Sequence, residues 1–411
     1  MNEREKPNVL IDYTKEQLAS REFKVEHRTA PEHFTREGNS PLCFLNTAMI
    51  VLNMIKKPLK VELMDFFYEF FRNLTIPSRQ ALSQARDKIS YLAFKDFFEK
   101  SCELTVNDTD AKLYKGYRLF AADGTSFIVG KLSKLAEYFS ESTAIAGKAM
   151  CRIGAIVDVL EDCIVSATVA PFNIGERALA IEQVKKLSSL SNALFLFDRG
   201  YWSPDLIKAI VNNGQKFVMR LASNAGKTSI TDDNGNEHVL RRYSFILPSG
   251  IEEVLLTNMS EAELTNDELA KLYARRWGVE TKYLELKARL QIDKFSGQSA
   301  NVILQDIYST LYISNLVAFI CSESDKTIAE RTANKENKYP QKTNRAVAIA
   351  ALRRRFIEIC FTDNRSEVDS LLQKFYDDIC RSVTPVGKSK SRPRNKRQMK
   401  ESRKHYNKPI L

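Results

Sequence analysis

Tyr273, Arg276, Glu280 and Lys287 follow one another at intervals of three, four and seven residues. On a helix turning about 100° per residue they fall within a stripe of roughly 60°. Leu272, Val279, Leu286 and Leu290 form a separate apolar stripe beside it, and Arg275 and Lys282 lie on the far side of that stripe. One narrow polar face therefore carries an aromatic, a cation, a carboxylate and a second cation. An Arg276–Glu280 pair at i,i+4 on a solvated face contributes only about a few tenths of a kcal/mol. It leaves the alignment of Tyr273 and Lys287 unexplained.

Two aspartates stand at the ends of strongly apolar runs. Tyr117–Ala122 leads into Asp123-Gly124-Thr125, and Ala193–Phe197 leads into Asp198. An aspartate at a strand end is commonly an Asx turn or a helix cap. Carboxylates converging from separate elements can also hold two hard cations about 3.5–4 Å apart, the arrangement that phosphodiester chemistry uses. The rim of an open α/β sheet is where such side chains are delivered.

The elements that position these residues follow from hydrophobic spacing. Helices are expected over 41–54, 59–71, from Ser78 through RQALSQARDKI, and 92–102. In such a helical unit Arg79, Arg86, Lys88 and Lys95 would face phosphates if it binds DNA; the alternative is a helical cap on a larger domain. Strands follow at 117–122 continuing into SFIV, at 151–160 and at 163–170, with a turn at Glu161-Asp162. A helix over 176–187, the strand 193–197 and a helix opened by Ser203-Pro204 complete the series. Three strands, helix, strand, helix is the order of a ribonuclease-H-like core, shared in part with other α/β folds. Asn173 and Glu176 read as a helix cap or as neighbours of a site. Short β runs fill 214–258, with Asn234-Gly235 as a turn. A long helix begins at Thr265, capped with Glu268, and runs to about Leu290. Gly278 inside it costs about 1 kcal/mol relative to Ala unless a neighbour approaches closely. Helices over 302–319 and 346–357 follow.

The 411 residues exceed a single hydrophobic core. A net charge of +11 favours a polyanionic partner, nucleic acid before membrane. The seven scattered cysteines form no CxxC and stand apart from the histidines, so a zinc site is not expected and a reducing compartment is. No apolar signal region opens the chain, and a cytoplasmic protein is expected. Residues 388–408 are dense in Lys and Arg, as in a disordered basic tail that touches phosphates or is merely solvated.

YARRWGVETKYLELK matches Y-x2-R-x3-E-x6-K, and in this it resembles the signature of the insertion-sequence family-four branch of DDE transposases, with Trp277 completing that family's common Arg-Trp pair. Asp123-Gly124-Thr125 and Asp198-Arg199-Gly200-Tyr201 resemble the blocks around the family's two catalytic aspartates, and SRQALSQARDKI a segment common before its core. The likeness spans roughly residues 75 to 300. It implies an α/β, ribonuclease-H-like catalytic core interrupted by a β-rich insertion, with an N-terminal helical domain and a helical C-terminal region. The layout expected is a helical DNA-binding domain at 1–110, core at 111–213, insertion at 214–260, core with the Glu-bearing helix at 261–320, helices at 321–387 and the tail at 388–411.

The resemblance implies that Asp123, Asp198 and Glu280 are catalytic ligands of two Mg²⁺ ions, with Mn²⁺ a substitute. Tyr273, Arg276, Lys287, Trp277 and Arg199 would hold DNA. Cleavage at inverted-repeat ends and strand transfer into double-stranded target DNA would proceed through a hairpin, within a homodimer, in a bacterial, nucleoid-associated protein with no membrane role. Some relatives stack a tryptophan of the insertion on a flipped base; here Phe217, Tyr243 or Phe245 would have to serve. A helix over 302–319 is a candidate for the dimer contact. A nuclease that does not join strands and an inactive, transposase-derived DNA-binding protein are the alternatives.

Overall fold

Polar caps punctuate the helices of the first hundred residues. The computed structural model describes residues 5–35, 40–53, 57–71, 76–135, 137–141, 146–222, 226–247, 250–335 and 337–386. The basic segment 388–408 lies outside the described residues. The helices are α1 (Glu5–Ala19), α2 (Arg21–His27), α3 (Phe44–Leu52), α4 (Leu59–Phe71), α5 (Arg79–Asp87) and α6 (Leu92–Val106). Ser78 caps α5 by accepting the Ala81 N–H at 3.1 Å.

Then come β1 (Arg118–Lys131), α7 (Leu132–Leu135), β2 (Ser140–Glu141), β3 (Lys148–Asp158), β4 (Cys163–Pro171), α8 (Glu176–Lys186), β5 (Ala193–Phe197) and α9 (Pro204–Asn212). They are followed by β6 (Lys216–Leu221), β7 (Ser229–Thr231), β8 (Glu237–Val239), β9 (Arg241–Ile246), β10 (Glu252–Thr257), α10 (Asn266–Tyr273) and α11 (Trp277–Ala288). The last elements are α12 (Ala300–Thr332), β11 (Gln341–Thr343), α13 (Arg345–Phe361), α14 (Arg365–Arg381) and β12 (Val383–Pro385). The chain divides into one unit of Met1–Lys100 with Arg289–Leu411 and another of Ser101–Ala288.

In the second unit the fold is mixed α/β around a central mixed sheet. Its strands run β2-β3-β1-β5-β6-β10-β9, with β4 also paired to β3. The β1–β5 and β5–β6 pairs are parallel, and the others antiparallel. The expected series of three long strands, helix, strand, helix is present as β1, β3, β4, α8, β5 and α9. Phe120, Phe195, Phe197 and Phe217 form its core with Leu206 and Ile210 of α9 and Val184 of α8. β6, β10 and β9 extend the sheet, whereas β7 and β8 form a separate hairpin turned at Gly235, whose φ is +85°.

Two local expectations change. Asp123 stands inside a continuous 14-residue strand rather than at its end, because antiparallel pairing with β3 carries β1 on through Lys131. The expected long helix after Thr265 is broken into α10 and α11 by a 3₁₀ turn over Ala274–Arg276. The Thr265–Glu268 capping box is formed. Replacing Thr265 by Ala should lower stability by about 1 kcal/mol, read from urea denaturation. Gly278 has a packing reason, since a Cβ there would lie 3.1 Å from Val159 Cγ1.

In the first unit, α12 has the length and apolarity of a membrane-spanning helix, but its most apolar stretch is wholly buried, as befits a core helix. Residues 302–319 are buried throughout, so this face is spent on the fold and does not offer the dimer contact expected of it. Arg86 likewise does not face phosphates. Its side chain is 2% exposed and pairs with Asp306 at 2.9 Å. It also donates to Gln305 Oε1 at 3.1 Å and to Ser296 Oγ. Arg79 and Lys88 are exposed, and Lys95 pairs with Glu99 at 3.4 Å.

Candidate functional site

The parallel β1–β5 ladder ends two residues before each of the first two carboxylates. Ala121 of β1 stands opposite Leu196 of β5 in the last pair of that ladder. Asp123 and Asp198 lie two residues beyond these partners, and side chains two apart point to the same face. Neighbouring strands are about 4.8 Å apart. Asp198 keeps an extended backbone and caps the short 3₁₀ turn Arg199–Tyr201, its Oδ1 accepting the Arg199 N–H. The Asp123 Oδ1 accepts the Gly124 N–H at 2.9 Å.

Helix α11 is tied to β1 at this point. The Tyr283 hydroxyl bonds to the Asp123 carbonyl oxygen at 2.9 Å and to the Ile153 carbonyl oxygen at 3.2 Å. Glu280, one turn earlier on the same helix, acts on the Asp123 carboxyl. Arg276 Nη2 donates to Glu280 Oε1 at 2.7 Å, so the i,i+4 pair read from the sequence does form. Tyr273 and Arg276 are each 5% exposed. Among the described residues the buried Tyr273 hydroxyl and Arg276 Nε have no hydrogen-bond partner.

The Asp123 carboxyl is pushed up to about 6, chiefly by burial. The Gly124 N–H and the Arg276 guanidinium oppose that shift, while Glu176 and Glu280 add to it. Asp198 acts on Arg276, Tyr273 and Glu253. Glu253 of β10 pairs with Arg220 of β6 at 3.5 Å.

The remaining residues of interest are spread more widely. Lys287 is exposed with its ammonium 5.3 Å from the Phe127 ring centroid. Trp277 is 55% exposed, with the Arg276 guanidinium 5.5 Å from its ring. Arg199 is exposed. Phe217 is fully buried in the core and unavailable for stacking. Tyr243 and Phe245 stack on each other along β9, centroids 5.5 Å apart and planes at 15°. Tyr283, Glu253, Arg220 and Arg152 were not singled out from the sequence. Only Tyr283, three residues after Glu280 on the same helix, carried a local signal.

Among the described residues no three His, Cys, Asp or Glu side chains are grouped tightly enough to hold a metal ion. The donor chemistry still suits a hard dication, since the carboxylates offer oxygen ligands only, Asp123 among them half-buried. Glu280 would have to exchange its bond to Arg276 for such a cation.

Residues 114–316, which contain every one of these groups, match the family described as Transposase DDE domain. The match spans just under half of the chain and places this segment among DDE transposase domains. It is 22% identical over 294 residues to the transposase InsG for insertion sequence element IS4 of Escherichia coli strain K12. That alignment covers 64% of this chain and 66% of InsG. A protein of Synechocystis named for insertion sequence element IS4SA is 25% identical over 153 residues, 34% of this chain and 45% of its own. The chain thus spans just under two thirds of the one relative and under half of the other. A piggyBac transposase synaptic complex with hairpin DNA superposes at a TM-score of 0.46 with 12% identity, over 93% of this chain and 87% of that one.

Proposed function

We propose that the protein cuts DNA at the inverted-repeat ends of an insertion sequence and joins those ends to target DNA. The observation that carries this reading is that Asp123 and Asp198 each follow by two residues the last pair of the parallel β1–β5 ladder, with α11 fixed to the Asp123 backbone through Tyr283. The order of strands and helices supports a ribonuclease-H-like core. Asp123, Asp198 and Glu280 would hold two Mg²⁺ ions, or Mn²⁺ in their place. Bound there, the ions supply activation of the attacking oxygen and stabilisation of the leaving one. Arg276 and Tyr273 present buried donors to a phosphate oxygen, and Lys287, Trp277 and Arg199 hold flanking DNA from the exposed side. These contacts position the backbone rather than read its sequence. In a hairpin step, Tyr243 and Phe245 on β9 remain as the stacking residues.

Joining distinguishes this reading from a nuclease. The full chain is incubated with Mg²⁺, a labelled duplex bearing the inverted repeat that flanks its gene, and a supercoiled plasmid. Labelled end joined to plasmid is the expected product. Cleavage without joining would leave a nuclease, and binding without cleavage an inactive DNA-binding descendant. Synapsis of two ends by a homodimer would show as two labelled ends per protein pair.

Lys287→Ala should flatten the dependence of log affinity on log salt by about one unit, as expected for the loss of one phosphate contact. Thermal stability should stay within about 0.5 kcal/mol, because the site is exposed. A large fall in melting temperature with normal DNA binding would give Lys287 a structural role instead.

A further inference from the structure

Lysine is almost never fully buried without a partner, and Lys282 of α11 is only 2% exposed. Its ammonium lies 3.3 Å from Asp162 Oδ1 and 3.3 Å from Glu285 Oε1. Glu285 belongs to the same helix, so that contact fixes nothing outside α11. Asp162 belongs to the turn between β3 and β4, so the other contact ties the helix to the sheet. A buried ion pair adds little stability over apolar residues of similar volume. It does hold two groups at one point, whereas the contacts of the buried Val279 and Leu286 are non-directional.

The β3–β4 turn is itself a fixed point. Asp158 is 0% exposed and pairs with Arg118 of β1 at 2.7 Å. Its Oδ1 accepts the Leu160 and Glu161 N–H groups at 3.0 and 3.1 Å. Helix α11 meets this turn at two residues one helical turn apart. Gly278 comes up against Val159, where a Cβ would lie 3.1 Å from Cγ1, and Lys282 reaches Asp162. Tyr283, the next residue, holds the helix to β1 and β3 through the Asp123 and Ile153 carbonyl oxygens. Lys282 and Tyr283 stand about 100° apart around the helix axis. Together they resist rotation about that axis as well as sliding along it.

Glu280 lies between these contacts, two residues after Gly278 and two before Lys282. A side-chain end about 5–6 Å from the axis moves about 2 Å when the helix rotates by roughly 20°. A misplacement of about 1 Å can lower a rate about a hundredfold. Resting on the DNA-cleavage reading above, we propose that Lys282 is a positioning residue for Glu280, its tie to Asp162 fixing how α11 presents that carboxylate. Apolar packing buries the helix, and the Lys282–Asp162 pair sets its register on the sheet.

The test measures cleavage of a labelled inverted-repeat duplex in Mg²⁺ over a series of concentrations of the full-length protein. It yields a saturating rate and a half-saturating concentration, read about 15 °C or more below each variant's melting temperature. Asp162→Gly cuts the tie, leaves Lys282 its Glu285 partner, and suits the Asp162 φ of +55°. Lys282→Met combined with Glu285→Met replaces the intrahelical pair by apolar volume. Each variant should lose about tenfold or more in saturating rate. The half-saturating concentration should stay within about twofold, and the melting temperature within about 4 °C. If the double variant melts lower than that, Asp162→Gly decides alone. A wild-type saturating rate in Asp162→Gly, with Asp123→Asn inactive, would make the tie purely structural and leave the cleavage reading standing. A raised half-saturating concentration at an unchanged rate would place it in DNA binding and equally overturn the proposal. Absence of cleavage by the wild type would overturn the cleavage reading, and this proposal with it.

Discussion

Amide replacement of Asp123, Asp198 or Glu280, one at a time, is expected to lower strand cleavage by more than about a hundredfold. Even partners of a metal's direct ligands cost 10- to 100-fold when lost, and these three are proposed as the ligands. The amides test charge rather than shape. Asparagine at 123 can still accept the Gly124 N–H, and glutamine at 280 can still accept from Arg276. The fold should tolerate Asp123→Asn well, since burial already opposes ionisation of that carboxyl. Cleavage of a labelled inverted-repeat duplex in Mg²⁺, with a thermal melt of each variant, separates lost chemistry from lost structure. Full cleavage by all three would refute the assignment.

Arg86→Ala is expected to cost about 3–5 kcal/mol of stability, the range for breaking one partner out of a buried ion pair. The guanidinium ties α5 to α12: it meets Asp306, itself 2% exposed, and Gln305, which returns a bond from Nε2 to the Arg86 carbonyl oxygen at 2.9 Å. Removing it takes away the cation 2.9 Å from the Asp306 carboxylate, which still accepts from the Ser296 hydroxyl and N–H. Replacing both partners by apolar residues of similar volume should recover part of the loss. Denaturation in guanidinium chloride measures both. Unchanged stability with weakened DNA binding would instead return Arg86 to a phosphate-facing surface.

Arg86 also shows where local pattern fails. It lies in a short basic helix, RQALSQARD, and nothing within that helix distinguishes it from the exposed Arg79. Its partners lie more than 200 residues away. The pairing of Arg118 with Asp158 at 2.7 Å was hidden for a similar reason, since it depends on which strand lies beside β1. Glu176 could be read as a helix cap because its sequence position is that of a first helical turn. Only the packing of α8 shows that its carboxylate lies over Gly124.

The sequence by itself determined the α/β alternation, the capping box at Thr265, the apolar stripe of the Glu280 helix and the order Asp, Asp, Glu. These depend on side-chain periodicity and turn chemistry within one segment, which a chain displays without being folded. Tertiary structure alone decided the rest. The level of Asp123 against Asp198 is a matter of strand register. The anchoring of α11 by Tyr283 depends on two carbonyl oxygens from different strands, and the place of Glu176 depends on how a helix packs over a glycine. Each of these is a contact between distant segments, set by packing that local spacing does not encode.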